Sequence, residues 1–149
     1  MAHEYHRQRR VEFSDTDTAG IAHFSSFFRY MEETEHEFLR SLGLSVHPEP
    51  IDGKRYGFPR LASRCEFSKP VRFEDVVDIW LRVARRGKSS ITYQFVLRSD
   101  GEQVAIGETS VVCCELEGEG KIARADIPET FSEIESAPYE LLKFRETKT

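Results

Sequence analysis

The sequence is poor in the features that mark secreted, membrane and nucleic-acid-binding proteins. Its three cysteines, Cys65, Cys113 and Cys114, are odd in number and lack metal-ligand spacing, so we expect reduced thiols, a cytoplasmic location and no bound metal. No run of about 18 apolar residues occurs, so no membrane span is expected. The polar start MAHEYHRQRR does not resemble a secretory signal. A net charge of −5 argues against general nucleic-acid binding.

What remains is a chain with the length and composition of one folded domain. It has 149 residues, of which 39% are hydrophobic and 32% charged, and it contains no internal repeat or linker. A chain of this length buries roughly 68–70% of its unfolded surface, which is enough for a sizeable core. We therefore predict a single domain over residues 1–149.

A long apolar-striped helix is predicted over residues 24–42. Its apolar row follows helical spacings of four and three through Phe24, Phe28, Met31, Phe38 and Leu42. The hydroxyls of Ser25 and Ser26 suit an N-cap, and Gly43 suits the C-terminal end. Because the row is broad and aromatic, we expect the helix to be buried. Glu35 interrupts the row, and we expect its carboxylate to reach water or an arginine.

The rest of the chain reads mainly as strands with alternating apolar residues. The predicted strands are residues 5–13, 61–67, 76–84, 91–97 and 103–116. Residues 45–57 are rich in proline and glycine and predict a long loop that forms a lid or a substrate wall. Pro128 is predicted to open a short C-terminal helix. The order of elements predicts an α+β fold, with an antiparallel sheet around one long central helix.

Two carboxylates and a glycine turn precede the long helix. Asp15 and Asp17 are followed by Thr18, Ala19 and Gly20, small residues that let the backbone approach a ligand closely. A helix N-terminus has unpaired amides that can hold an anion or polarise a carbonyl. A carboxylate beside such amides suits acyl transfer, in which the carboxylate attacks or activates water. In the alternative, both aspartates only cap and turn the chain.

The segment FSDTDTAGIAHFSSFFRYMEETEHEFLRSLGL resembles the signature of the 4-hydroxybenzoyl-CoA thioesterase family. The shared pattern is an aromatic residue, Asp-x-Asp, a small-Gly-hydrophobic run and a helix that carries a carboxylate. The resemblance implies the hotdog fold, a single thioesterase domain and hydrolysis of acyl-CoA without a separate cofactor. It also implies a homodimer or homotetramer that binds the acyl-CoA between subunits.

The resemblance assigns roles to residues around the predicted helix start. Asp17 occupies the position of the catalytic carboxylate, and the backbone amide of Phe24 matches the oxyanion donor. Gly20 and Ser26 are expected at the substrate, although many relatives have Asn where this chain has Ser26. His23 is expected to touch the substrate carbonyl or Asp17; in the alternative it packs at the helix start in place of an aromatic residue.

A basic turn at residues 85–89 is a second candidate site. Arg86 and Lys88 are expected to contact the phosphates of coenzyme A, as basic residues of relatives do in this turn. The alternative is a solvated hairpin tip.

Three other functions have less support in the sequence. Glu33 and His36 have the spacing of a di-iron helix, but such a site needs four helices and this chain offers one. A hotdog-fold enoyl-CoA hydratase would show its own Asp and His pattern, which is not found. A non-catalytic acyl-CoA-binding protein would show no turnover. The sequence therefore favours a thioester hydrolase acting on acyl-CoA.

Overall fold

The computed structural model describes residues 1–140 and 142–145. One long helix, α1 (Phe24–Ser41), lies among eight strands. The strands are β1 (Glu4–Arg10), β2 (Tyr56–Gly57), β3 (Arg60–Phe67), β4 (Val76–Arg86), β5 (Ser90–Ser99), β6 (Glu102–Val112), β7 (Cys114–Gly118) and β8 (Lys121–Arg124). No helix in this part of the chain is long and apolar enough to cross a membrane.

The main sheet has five strands in the order β1-β4-β5-β6-β3, and all neighbours are antiparallel. Alternate side chains of each strand face one side of a sheet. In β4 these are fully buried apolar residues, namely Val77, Ile79, Leu81 and Val83. Helix α1 packs on this face and completes the core. The predicted α+β class and the hotdog arrangement, a sheet around a central helix, are confirmed.

Helix α1 lies so close to the sheet that one strand position requires glycine. A Cβ atom on Gly107 of β6 would lie 2.1 Å from Sδ of Met31 and 3.4 Å from the Arg64 carbonyl. The buried face of α1 also includes Phe27, Phe38 and Leu39. Close approach of a helix to a strand is one use of glycine within a sheet.

The ends of α1 show one correct and one wrong prediction. Gly43 terminates the helix with φ +74°, as predicted, and the amide of Leu44 reaches back to the carbonyl of Leu39 over 2.8 Å. The N-cap is His23, not Ser25 or Ser26. Its Nδ1 accepts from the Ser25 amide, so an imidazole takes the capping role expected of a hydroxyl.

Several strand and helix boundaries also differ from the prediction. The single strand predicted over residues 103–116 is two strands, because the amide of Cys113 bonds the carbonyl of Ser89 and the chain then joins a small sheet of order β2-β7-β8. Residues 111–114 are all buried, so no alternation marks the break. The predicted C-terminal helix is only a 3-10 turn, Glu129–Phe131, whose Phe131 ring packs 5.1 Å from that of Phe58.

Candidate active site

A cleft of about 480 Å³ opens at the N-terminal end of α1. Its walls come from the turn before the helix, the first turn of the helix and the end of β3. The lining residues are Asp17, Ile21, Ala22, Phe24, Phe27, Phe67, Ser68, Lys69 and Pro70. The cleft is therefore mainly apolar, with one carboxylate and one ammonium group at its surface.

Asp17 lies in a tight turn that holds one of its carboxylate oxygens. Its amide donates to the carbonyl of Ile21 over 3.0 Å, and its carbonyl accepts from Gly20 over 2.9 Å. Gly20 has φ +78°, a conformation that favours glycine. Oδ1 accepts the amide of Ala19 at 2.9 Å, whereas Oδ2 has no protein donor in the described part of the chain. Asp17 thus helps to turn the chain, which was the alternative to a catalytic role, and its carboxylate is nevertheless exposed.

The first turn of α1 lines the same cleft as Asp17, and its amides differ in whether they have an acceptor. The Ser25 amide donates to Nδ1 of His23 over 3.3 Å, and the Ser26 amide donates to the His23 carbonyl over 2.8 Å. Among residues 1–140 and 142–145 the amide of Phe24 has no acceptor. A free amide at a helix N-terminus can hold developing negative charge on a carbonyl oxygen.

Asp15, the other aspartate, is a buried anchor for the turn. Its carboxylate accepts from the Glu12 amide at 2.8 Å, the Tyr30 hydroxyl at 2.9 Å and the guanidinium groups of Arg9 and Arg29, both at 3.2 Å. Burial pushes the pKa of this carboxyl upward, but the hydrogen bonds and the charge of Arg9 outweigh it, so the net pKa is lowered. Asp15 is therefore ionised and structural.

No local sequence pattern indicates these partners of Asp15. Tyr30 falls outside the apolar row, and Arg9 and Arg29 resemble ordinary surface charges. Burial raises the pKa of Tyr30, and its hydrogen bond to the ionised carboxylate raises it further, more than the two arginine charges lower it. Only the fold shows that these three side chains converge on the turn that carries Asp17.

Ser26 and His23 both bond to neighbouring residues of the turn and the helix start. Ser26 is fully buried, and its hydroxyl donates to the carbonyl of Asp15 over 2.7 Å. This bond ties the helix start to the turn that carries Asp17, and a contact of Ser26 with the substrate stays a prediction. His23 is exposed, with its ring 4.5 Å from that of Phe24, and its Nδ1 is engaged by Ser25. This matches the alternative of packing at the helix start; no hydrogen bond joins His23 to Asp17.

Arg86 and Lys88 are far from the cleft of their own chain. Strand pairing aligns Arg86 with Ile91, Val111 and Arg60, at the end of the sheet opposite Phe67. The guanidinium of Arg86 donates to the neighbouring Gly87 carbonyl. The Lys88 ammonium lies 3.7 Å from Asp126. Within one chain the basic turn is thus separate from the catalytic candidates. Lys69, two residues after β3, lines the cleft and forms an ion pair with Glu102.

The carboxylate of Glu35 reaches an arginine in the interior, which is one of the two contacts predicted for it. Its Oε1 accepts from Arg60 over 2.8 Å, and Glu35 is 1% exposed. Burial raises the pKa of Glu35 to about 7, more than the Arg60 charge lowers it, and the nearby Glu32 adds a smaller upward effect.

Among the described residues, no three His, Cys, Asp or Glu side chains come together as metal ligands.

Comparisons with known proteins agree with this arrangement. The model of the family described as the thioesterase-like superfamily matches residues 11–134. A protein of Aquifex aeolicus (strain VF5) with the provisional name of an esterase is 32% identical over 127 residues, 85% of this chain and 94% of that protein. A 1,4-dihydroxy-2-naphthoyl-CoA hydrolase of Prochlorococcus marinus (strain NATL2A) is 29% identical over 110 residues, 70% of each chain.

A solved structure extends the likeness to the backbone. The gentisyl-coenzyme A thioesterase BH1999 is 30% identical and has a TM-score of 0.71. The match covers 87% of this chain and 98% of the other. The family predicted from the segment around Asp15 and Asp17 is confirmed by these findings.

Proposed function

The chain belongs to the thioesterase-like superfamily and has the hotdog fold, and from this premise we propose that it hydrolyses acyl-coenzyme A with Asp17 as the catalytic carboxylate. The observation that carries the proposal is that Asp17 and Phe24, whose amide is free, line one cleft. Two relatives that match most of the chain are named as hydrolases of CoA thioesters, which supports the same reaction. No cofactor takes part, because coenzyme A is a portion of the substrate.

The reaction starts with the thioester carbonyl oxygen on the Phe24 amide. The Asp17 carboxylate attacks the carbonyl carbon, and the amide stabilises the negative charge that forms on the oxygen. The carbon–sulfur bond then breaks, the coenzyme A thiolate leaves, and water hydrolyses the resulting anhydride. In the second version, Asp17 takes a proton from a water that attacks the carbonyl directly. A thiol has a pKa of about 8.5, so its thiolate leaves without strong acid assistance.

The cleft favours an aromatic acyl group. Phe24, Phe27 and Phe67 line it, with the rings of Phe27 and Phe67 5.1 Å apart in an edge-to-face arrangement. Aromatic rings pack well against such a wall because edge-to-face contacts add to the burial of apolar surface. The relatives named for 1,4-dihydroxy-2-naphthoyl-CoA and gentisyl-coenzyme A both act on aromatic acyl groups, which supports this substrate class.

The active form that we propose is a homodimer or homotetramer. Strand β3 is an edge of the main sheet, and Leu61 and Phe67 on it are 63% and 47% exposed. An open edge with apolar side chains favours pairing with a second copy. Because the end of β3 also lines the cleft, such a copy would lie beside it. In this assembly Arg86 and Lys88 bind coenzyme A phosphates at the cleft of another copy.

A thiol-release assay with aromatic, short-chain and long-chain acyl-CoA tests the proposal. We expect the fastest turnover with aromatic thioesters. Asp17→Ala and Asp17→Asn should stay folded and lose turnover by about 10²–10⁴-fold, the usual contribution of a positioned acid or base. Thr18→Ala, a neighbour in the same exposed turn, is the matched control and should remain active. Near-normal turnover in a folded Asp17 variant would refute the assignment.

Two further measurements, run beside the thiol-release assay, distinguish the alternative functions. A non-catalytic acyl-CoA-binding protein would show calorimetric binding without thiol release by the wild type. An enoyl-CoA hydratase would consume the double bond of an enoyl-CoA, seen as a loss of ultraviolet absorbance, while the thioester stays intact.

A further inference from the structure

Arg29 bridges the turn that carries Asp17 and the first turn of α1. One nitrogen, Nη2, donates to Oδ1 of Asp15 over 3.2 Å and to Oγ of Ser26 over 2.9 Å. The other, Nη1, donates to Oγ of Ser25 over 3.2 Å. Two of these acceptors belong to the helix start and one belongs to the preceding turn. A guanidinium is a rigid planar fork, so three acceptors that it contacts together are held in fixed relative positions.

The contact with Ser25 extends to the helix cap. Because Arg29 is only a donor, Oγ of Ser25 accepts from it and its own proton is free to bond Nδ1 of His23, 2.8 Å away. Nδ1 also accepts the amide of Ser25. In the neutral imidazole the proton therefore lies on Nε2. With the amides of Ser25 and Ser26 both occupied by His23, the Phe24 amide is left as the free donor of this turn.

We propose that Arg29 is a positioning residue, which fixes the Phe24 amide relative to the Asp17 carboxylate by bonding Asp15, Ser25 and Ser26 together. The inference rests on the proposed function of this cleft. Arg29 does not line the cleft and touches neither reacting group. Its effect on the reaction comes through the turn, where a displacement of 1 Å can cost about a hundredfold in rate.

Substitution of Arg29 should leave the fold intact. Its side chain is 50% exposed on α1, and alanine has the best helix propensity. Asp15 would keep three donors, from Glu12, Tyr30 and Arg9. The buried carboxylate is therefore not left unpaired, and activity and stability can be measured separately.

The test compares wild type with Arg29→Ala, Arg29→Lys and Arg40→Ala, an exposed control on the same helix that bonds nothing at the cleft. For Arg29→Ala we expect kcat to fall about 10- to 100-fold while KM changes less than about threefold. Arg29→Lys should be intermediate, since an ammonium lacks the fork. Guanidinium ion at a non-denaturing concentration should restore part of kcat in Arg29→Ala and in no other variant. If Arg29→Ala were only less stable, guanidinium ion would not restore its kcat.

An NMR comparison gives a readout that does not need activity. Amide signals of Asp17 and Phe24 should shift between wild type and Arg29→Ala, while those of the β4–β5 pair stay in place. Each of three results would overturn the inference. They are a wild-type kcat in Arg29→Ala, a loss of kcat that guanidinium ion does not relieve, and unshifted amide signals of Asp17 and Phe24. If wild type hydrolyses no thioester, the proposed function fails, and the NMR comparison alone decides the role of Arg29.

Discussion

The Tyr30 hydroxyl donates a 2.9 Å hydrogen bond to Oδ2 of Asp15, and both residues are buried. This bond joins the second turn of α1 to a position two residues before Asp17. The carbonyl of the same Asp15 accepts the amide of His23 over 2.8 Å. The turn and the helix are therefore tied together on both the side-chain and the backbone atoms of one residue.

Tyr30→Phe is expected to destabilise the protein by about 1.5–3 kcal/mol, because it removes a buried hydrogen bond to a charged group. Urea unfolding at pH 7 measures the free energy of unfolding. Tyr139→Phe is the control, since that hydroxyl bonds Glu4 at the surface and its loss should change stability little. Equal unfolding midpoints for wild type and Tyr30→Phe would contradict the role given to this bond.

The same variant should alter the acid limb of stability. The lowered pKa of Asp15 contributes stability that is present above the pKa of the unfolded chain and is lost as pH falls through the folded pKa. Tyr30 is one of the causes of that lowering. In Tyr30→Phe the pKa of Asp15 is lowered less, so the loss of stability in acid should be smaller and should end at a higher pH than in wild type, and urea midpoints between pH 5 and pH 2 report it.

Glu35 should give stability the opposite dependence on pH. Its folded pKa is raised to about 7 from the 4.5 that is usual for a glutamate, so the folded state holds a proton that the unfolded chain has released. Stability then falls as pH rises through this interval. Relative to Glu35→Gln, wild type should lose on the order of 3 kcal/mol between pH 4 and pH 8.

Glu32→Gln is the matched control for Glu35→Gln. Glu32 also lies near Arg60, at 3.4 Å, but its side chain is 51% exposed. The pH profile of stability of Glu32→Gln should keep most of the wild-type dependence, because Glu32 adds only a smaller upward effect to the pKa of Glu35. If Glu35→Gln retained the full pH dependence of wild type, the carboxyl of Glu35 would not be its source.

Gly107→Ala tests the close packing of α1 on the sheet. The added Cβ would meet Sδ of Met31 at 2.1 Å, so the helix or the methionine must shift. Overpacking of this kind costs about 1–3 kcal/mol. Gly57→Ala is the control, because its Cβ would lie 3.5 Å from a Leu116 methyl group, an ordinary contact. Thermal or urea unfolding of the two variants should separate them; similar midpoints would argue against tight packing at Gly107.

The sequence predicted the parts of the fold that local patterns encode. The period of α1, its end at Gly43 and the alternation within β4 and β5 are properties of neighbouring residues, and they were read correctly. The break at Cys113 was missed because every residue around it is buried in one of two sheets. His23 was missed as a cap because imidazole rarely has that role, and its Nδ1 is recognised only from its contact with Ser25.

The candidate site was predictable only in part, for a similar reason. The turn chemistry of Asp17 and Gly20 and the start of the helix lie within a few residues of each other. Tyr30 and Arg9 reach Asp15 from α1 and β1, which no local pattern indicates. The wall at the end of β3 comes from residues that are about 50 positions away from Asp17.

Lys88 provides the last prediction, which concerns coenzyme A. It lies at the end of the sheet opposite its own cleft, with a side chain that is 85% exposed. If it binds phosphate at another copy's cleft, Lys88→Ala should raise KM for acyl-CoA about two- to fivefold, the size of a surface ion pair, without lowering kcat. KM for the matching acyl-pantetheine, which lacks the nucleotide, should not change.

Salt and a control lysine complete the Lys88 experiment. Added salt screens an exposed ion pair, so it should raise wild-type KM for acyl-CoA and reduce the difference from Lys88→Ala. Lys54→Ala, an exposed lysine in the loop before β2, should keep wild-type KM. If Lys88→Ala and Lys54→Ala both match wild type with acyl-CoA, Lys88 belongs to a solvated hairpin tip. The phosphates of coenzyme A would then be bound by cations nearer the cleft. Lys69 is one such residue, because it lines the cleft.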